Sequence, residues 1–263
     1  MKNIIKSIVY EMLHSKMVIR LYVLFMLLQA LVVILNAEVS PVSGVKETSM
    51  VLSDGGVLTY EFPIFILTLI VGVICGEDYR DKVANYEVLS GHSRKSIYLA
   101  RSLFAIFSAA ALCLILSFIP LIAGNLYMGW GSTLKLGDVV ARYLLLFFPY
   151  LRLAAFLAMI TFLIKNQYIM MALGFLIMFG STLLSDLLGA SNYYVSIYNF
   201  KMLTEYKSWS IYNIDPVRGL IDYHAYDSSL TSGMVIGTIA VSLAMTAFYL
   251  IMGYALFRRD ELS

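Results

Sequence analysis

The sequence predicts an all-α polytopic membrane protein with six transmembrane helices, an N-terminal amphipathic interfacial helix and a short cytoplasmic helix between spans 2 and 3. Two observations carry this. Sixty per cent of the residues are hydrophobic and 14% are charged, with a mean hydropathy of +0.80, a balance that a soluble globule does not reach. The apolar residues also fall into six runs long enough to cross, or nearly cross, a hydrocarbon core of about 30 Å at about 1.5 Å per residue. No polar segment is long enough to fold as a separate unit, so residues 1–263 read as a single transmembrane domain.

The chain opens on residues 2–16. There Ile4, Ile5, Ile8, Val9, Met12 and Leu13 share one helical face and Lys2, Lys6, Glu11 and Lys16 lie elsewhere, the pattern of a helix lying in the membrane interface. No short apolar core with a small-residue cleavage site precedes it, so no removable signal peptide is expected. The first span covers about 18–36. A polar loop follows, punctuated by Pro41, Gly44 and the cluster Ser53-Asp54-Gly55-Gly56. The second span covers about 58–75, with Pro63 near its start, where a missing N–H costs least.

Gly76 to Arg101 is the one long charged segment between two apolar runs on the basic side of the chain. Glu77 and Asp78 suit the first turn of a short helix, and Gly91 suits its left-handed C-cap. Tyr79, Val83 and Tyr86 then share a face that Arg80, Asp81, Lys82 and Asn85 frame with charge, so the ridge fits a groove on another protein. The alternative is a solvated loop whose basic residues only hold topology.

Spans 3, 4 and 5 cover about 102–123, 140–164 and 168–185, with Pro120 near the far end of the third and Pro149 interrupting the fourth. The segment 186–229 precedes the last span, about 231–257. Six spans put both termini on one side. Twelve Lys and Arg lie on that side and five on the other, so both termini are cytoplasmic and 186–229 is extracytoplasmic. Between Ala190 and Ser229 stand nine aromatics, read as an interfacial cap over the bundle.

Catalytic chemistry finds little support. No Asp or Glu lies deep in a span, which disfavours an ion-coupled carrier. No HExxH or GxxxxGK[ST] occurs. His14, His92 and His224 are scattered outside the spans, and Gly189-Ala190-Ser191 lacks a matching histidine for a serine nucleophile. Cys75 and Cys113 sit in apolar runs and read as small hydrophobes. Catalytic, cofactor and metal sites are therefore all expected to be absent from this chain, and nothing suggests nucleic acid. Arg152 is the one charge expected near mid-membrane, at roughly 2.5–3.5 kcal/mol if it faced lipid. Either it lines a route for an anionic or amphipathic substrate, or it bonds carbonyls freed by Pro149 or snorkels. Gly233 and Gly237 form a small-xxx-small pair that permits close helix approach.

The order of parts resembles the permease subunit of type 2 ABC exporters, compact six-span kind. The residues that carry the resemblance are Gly76-Glu77-Asp78-Tyr79-Arg80, the run LSGHSRKSIYLAR from Leu89 to Arg101, and Tyr254-Ala255-Leu256-Phe257-Arg258-Arg259-Asp260. It implies a multi-pass protein of the bacterial cytoplasmic membrane, paired with a second permease chain, identical or different. It also implies two copies of a separate ATPase subunit, which hold the ATP and Mg and do the hydrolysis. The segment Glu77 to Ser90 would be the coupling helix, with Glu77, Tyr79, Arg80, Val83, Tyr86 and Arg94 as contact residues and Arg152 on the substrate path. Compact permeases of this kind export antimicrobial peptides, lipids, polysaccharide or small toxic molecules. An amphipathic peptide or lipid-like substrate moving outward is the expectation here. The alternative is a membrane scaffold or sensor whose loop recruits a cytoplasmic partner while nothing crosses.

Overall fold

The computed structural model describes residues 2–39, 47–53, 60–80, 91, 93–164, 166–188, 193–215 and 219–259. In chain order these form α1 (Lys2–His14), α2 (Lys16–Val39), α3 (Thr48–Ser53), α4 (Glu61–Arg80), α5 (Arg94–Met128), α6 (Leu136–Leu145), α7 (Phe147–Ile164), α8 (Gln167–Leu188), α9 (Ser196–Thr204), β1 (Lys207–Asp215), β2 (Gly219–Asp227) and α10 (Ser232–Arg259). Four stretches, Lys16–Asn36, Arg94–Met128, Leu136–Ile164 and Ser232–Arg258, are long and apolar enough to cross a membrane, and Glu61–Gly76 is a shorter apolar helix. The chain is a mostly helical, multi-pass membrane protein.

The helix ends follow local chemistry. Ser15 separates α1 from α2 and its carbonyl accepts the Ile19 N–H at 3.1 Å, the first bond of α2. The Ser93 hydroxyl caps α5 by accepting the Ser96 N–H at 3.2 Å, and Gly129 closes that helix at φ +78. With 35 residues α5 is about 52 Å long, so it outruns the expected span 102–123 at both ends. Pro120 does not end it. Pro149 acts differently. The fourth span is two helices, α6 and α7, broken at Leu146, whose carbonyl accepts the Tyr150 N–H at 3.1 Å. Pro149 thereby falls in the first turn of α7, where its missing N–H has no partner to lose.

α7 is the centre of the bundle, packing on α4, α5, α8, α9 and α10. Its small residues Ala154, Ala155 and Ala158 are buried and admit close neighbours. Polar side chains tie the helices together from within. Tyr98 Oη donates to the Leu250 carbonyl at 2.8 Å, Cys113 Sγ to Pro63 O at 3.0 Å, and Tyr22 Oη to Leu112 O at 3.1 Å, while Ser117 Oγ lies 2.7 Å from Tyr150 Oη. Without water to compete, each such bond removes a polar group that hydrocarbon would leave unsatisfied. Cys75 and Cys113 are both buried and free, the small core residues expected. At one end Tyr98, Phe162, Tyr254 and Phe257 form an aromatic cluster joining α5, α7 and α10; at the other, Phe200 of α9 stacks on Tyr60 and Tyr150. α2 and α10 are the least buried spans, displaying Leu27, Leu31, Ile236, Phe248 and Ile251.

Two features differ from expectation. The segment 186–229, expected as an aromatic interfacial cap, carries a hairpin in which β1 and β2 pair antiparallel from Lys207 opposite Asp227 to Asp215 opposite Gly219, an addition to a mostly helical fold. The sequence signal was available: two runs rich in β-branched and aromatic residues flank Asp215-Pro216 and Gly219. Gly233 and Gly237 do not form a helix–helix seam within the chain. An added Cβ at Gly233 meets nothing within 4 Å, and one at Gly237 meets the Tyr193 ring at 3.0 Å. Close helix approach occurs elsewhere, at Gly174 of α8 under Thr68 of α4 and at Gly253 of α10 under the Tyr98 hydroxyl.

Candidate functional site

α4 and α5 run antiparallel: they pack on one another, residues 81–93 join the end of one to the start of the other, and Cys113 of α5 reaches Pro63 in the first turn of α4. Arg80 and Arg94 therefore sit at the same end of the bundle. Here the first turn expected at Glu77 is corrected. α4 continues without a break through Gly76 to Arg80, so Glu77, Tyr79 and Arg80 occupy the last turn of a spanning helix. A single Gly costs about 1 kcal/mol in a helix, and the packing of α4 along α5, α7 and α8 outweighs it. Arg94 is also not a loop residue, since it opens α5 on an exposed first turn. Gly91 has φ +90, the conformation wanted at a C-cap. Val83, Tyr86 and the expected short helix itself lie outside the described residues.

The second site is built around Arg152, in the second turn of α7 and 1% exposed. Its Nη1 donates to the Tyr193 carbonyl at 2.8 Å and its Nη2 to Asn199 Oδ1 at 2.7 Å. Neither snorkelling nor the carbonyls freed by Pro149 account for it, because its acceptors belong to α9 and the residues just before it. Pro149 O is instead approached by Ser196 Oγ at 3.3 Å. Arg152 Nε and Asn199 Nδ2 are buried and have no hydrogen-bond partner among the described residues. A half-open cavity of about 360 Å³ adjoins the arginine, walled by Leu153 and Phe156 of α7, Ile177, Gly180 and Leu184 of α8, Tyr194, Val195, Ser196 and Tyr249. The arrangement offers one cation, spare N–H donors and an apolar trough.

Arg142 on α6 has the larger set of bonds. Nε donates to Ser228 O at 2.8 Å, Nη2 to Ser229 O at 2.8 Å and Nη1 to Met202 O at 3.2 Å, while the guanidinium lies 5.1 Å from the centre of the Tyr206 ring. It ties the end of α9 and the end of β2 to α6. Burial pushes the Tyr206 phenol up to about 12, against the pull of the neighbouring guanidinium. Asp227 is held below the usual carboxylate range by hydrogen bonds from the Ser229 hydroxyl and N–H. Nothing in the local sequence distinguishes Arg142 from Arg152, because the carbonyls they bind come from residues 41 to 87 positions away.

No protein-family model matches the chain, and no curated protein matches it either.

Proposed function

We propose that this chain is the membrane subunit of an ATP-driven type 2 ABC exporter, a non-catalytic permease that passes an amphipathic, peptide- or lipid-like substrate outward. The reading takes six spans, adding α4 and α8 to the four long apolar stretches, with both termini cytoplasmic in a bacterial plasma membrane. One observation carries it. α4 runs as continuous helix from the apolar core into the charged residues Glu77 to Arg80, and α5 returns from the same end over more residues than a bilayer needs. Two rigid rods thus frame residues 81–93, so a push on that segment travels along α4 and α5 into α7, on which both pack. α1 lies at the same level, with Ile4 and Ile8 buried and its helix packed on α5.

Two ATPase subunits holding ATP and Mg supply the energy, and a second permease chain completes the pathway. Val83 and Tyr86 supply the apolar ridge, and Glu77, Tyr79, Arg80 and Arg94 its charged frame. The test is co-purification of the full chain from its native membrane in mild detergent, with bound proteins identified by mass spectrometry. An ATPase subunit retained by the wild type and lost on Tyr86→Asp is the expected result. A folded, inserted chain that retains no ATPase overturns the reading in favour of a scaffold or sensor.

A further inference from the structure

A guanidinium is always charged, and burying one without a counter-charge is expensive. Arg152 has only neutral acceptors, Tyr193 O and Asn199 Oδ1, and among the described residues no carboxylate pairs with it. Because Asn199 turns its oxygen to Arg152, its amide nitrogen presents donors, and these are unused, as is Arg152 Nε. Buried donors without partners are rare in folded proteins and call for an acceptor. Arg152 lines a trough of about 360 Å³ walled mainly by apolar side chains, within the size range of small-ligand sites, and Asn199 stands behind it, bonded to its Nη2.

We propose that this cavity binds an anionic amphiphile. A carboxylate or phosphate oxygen takes the N–H groups at Arg152, and an alkyl chain lies along Leu153, Phe156, Ile177 and Leu184. A charge-assisted bond to the guanidinium fixes the head, and the apolar walls take the tail. The inference deepens the exporter reading by giving the ligand chemistry of one site. Binding is measured on the chain alone, with no ATPase present, so either can fail without the other.

The full-length chain, purified in an uncharged detergent and placed in nanodiscs of phosphatidylcholine, is titrated with three probes. These are spin-labelled stearate, its methyl ester and spin-labelled phosphatidylglycerol, and electron spin resonance reads the immobilised fraction. Arg152→Gln removes the cation. Gly180→Phe puts a benzyl group on the wall of the trough at a position where an added Cβ meets nothing within 4 Å, and it leaves Arg152, Tyr193 and Asn199 unchanged. The unreactive thiols of Cys75 and Cys113 report that each variant is folded.

At least one anionic probe is immobilised by the wild type about tenfold more tightly than the methyl ester, a difference of about 1.4 kcal/mol, and both variants abolish that preference. Stearate alone identifies a free carboxylate amphiphile, and phosphatidylglycerol identifies a bilayer lipid. Equal immobilisation of ester and anions, or an anion preference that survives in folded Gly180→Phe, overturns the proposal.

Discussion

Replacing Arg142 with Met leaves a side chain of similar length and removes the guanidinium's bonds to the outer segment, leaving the bond from the Ser228 hydroxyl to Asp138 Oδ2 at 2.9 Å in place. The two 2.8 Å bonds to Ser228 O and Ser229 O are charge-assisted, about 1.5–3 kcal/mol each. The Met202 contact at 3.2 Å and the ring of Tyr206 at 5.1 Å add less, about 0.5–1 kcal/mol for the cation–π contact. These interactions share one side chain and do not add in full, and water can reach part of the freed carbonyls. The expected loss is about 3–5 kcal/mol. At about 2–4 °C per kcal/mol for a chain of this size, the unfolding midpoint falls by about 10 °C.

The chain carries its own reporter, because Cys75 and Cys113 are buried and free and a thiol-reactive fluorophore labels them only when the bundle opens. Arg142→Lys keeps the charge but cannot present a planar fork to carbonyls on two segments, so its midpoint falls between the other two. Limited proteolysis of Arg142→Met should also cut within 205–231 sooner than in wild type. A midpoint for Arg142→Met within about 2 °C of wild type, where surface changes commonly fall, would refute the assignment of Arg142 as the clamp.

Two further outcomes follow from single positions. Gly253→Val places a Cβ 2.5 Å from Tyr98 Oη, forces that hydroxyl off the Leu250 carbonyl and costs about 1–3 kcal/mol in the same thiol assay. Gly233→Ala, in open space on the same helix, is neutral or stabilising by up to about 1 kcal/mol; equal effects at the two glycines would contradict the packing of α10 on α5. For Tyr206 the folded pKa, about 12, lies above the usual value of about 10. Stability is therefore level with pH below about 10 and declines as pH rises from about 10 through 12. The phenolate difference spectrum between wild type and Tyr206→Phe should place this tyrosine's titration near the top of that window, and titration near 10 would mean that the ring is not buried against Arg142.

Most of the helical skeleton was legible in the sequence, because an apolar run of about twenty residues has few ways to satisfy its backbone in lipid other than as a helix. A local residue sets the start of α5, where the Ser93 hydroxyl caps the helix, and Gly91 has the positive φ expected of it. Helix ends were misjudged where the helix runs on past the apolar residues. α4 passes through Gly76 to Arg80, and α5 starts at Arg94 and ends at Met128, its last turn carrying the exposed Leu126 and Tyr127, because backbone hydrogen bonding continues a helix beyond the hydrophobic run that marks it in the sequence. The hairpin 207–227 was missed because its aromatics also fit an interfacial belt. In the structure those residues divide: Phe200 and Tyr206 are buried, while Tyr194 and Trp209 are exposed.

Composition and hydrophobic run length determined by themselves that this is a multi-pass helical membrane protein, and they marked Arg152 as the charge needing an explanation. Only the tertiary structure decided what that explanation is. The acceptors of Arg152 and Arg142 are backbone carbonyls and an amide brought from far along the chain, and a carbonyl carries no sequence signature. Which buried cation is fully bonded, and which keeps a free N–H beside a cavity, depends on the three-dimensional path of the backbone.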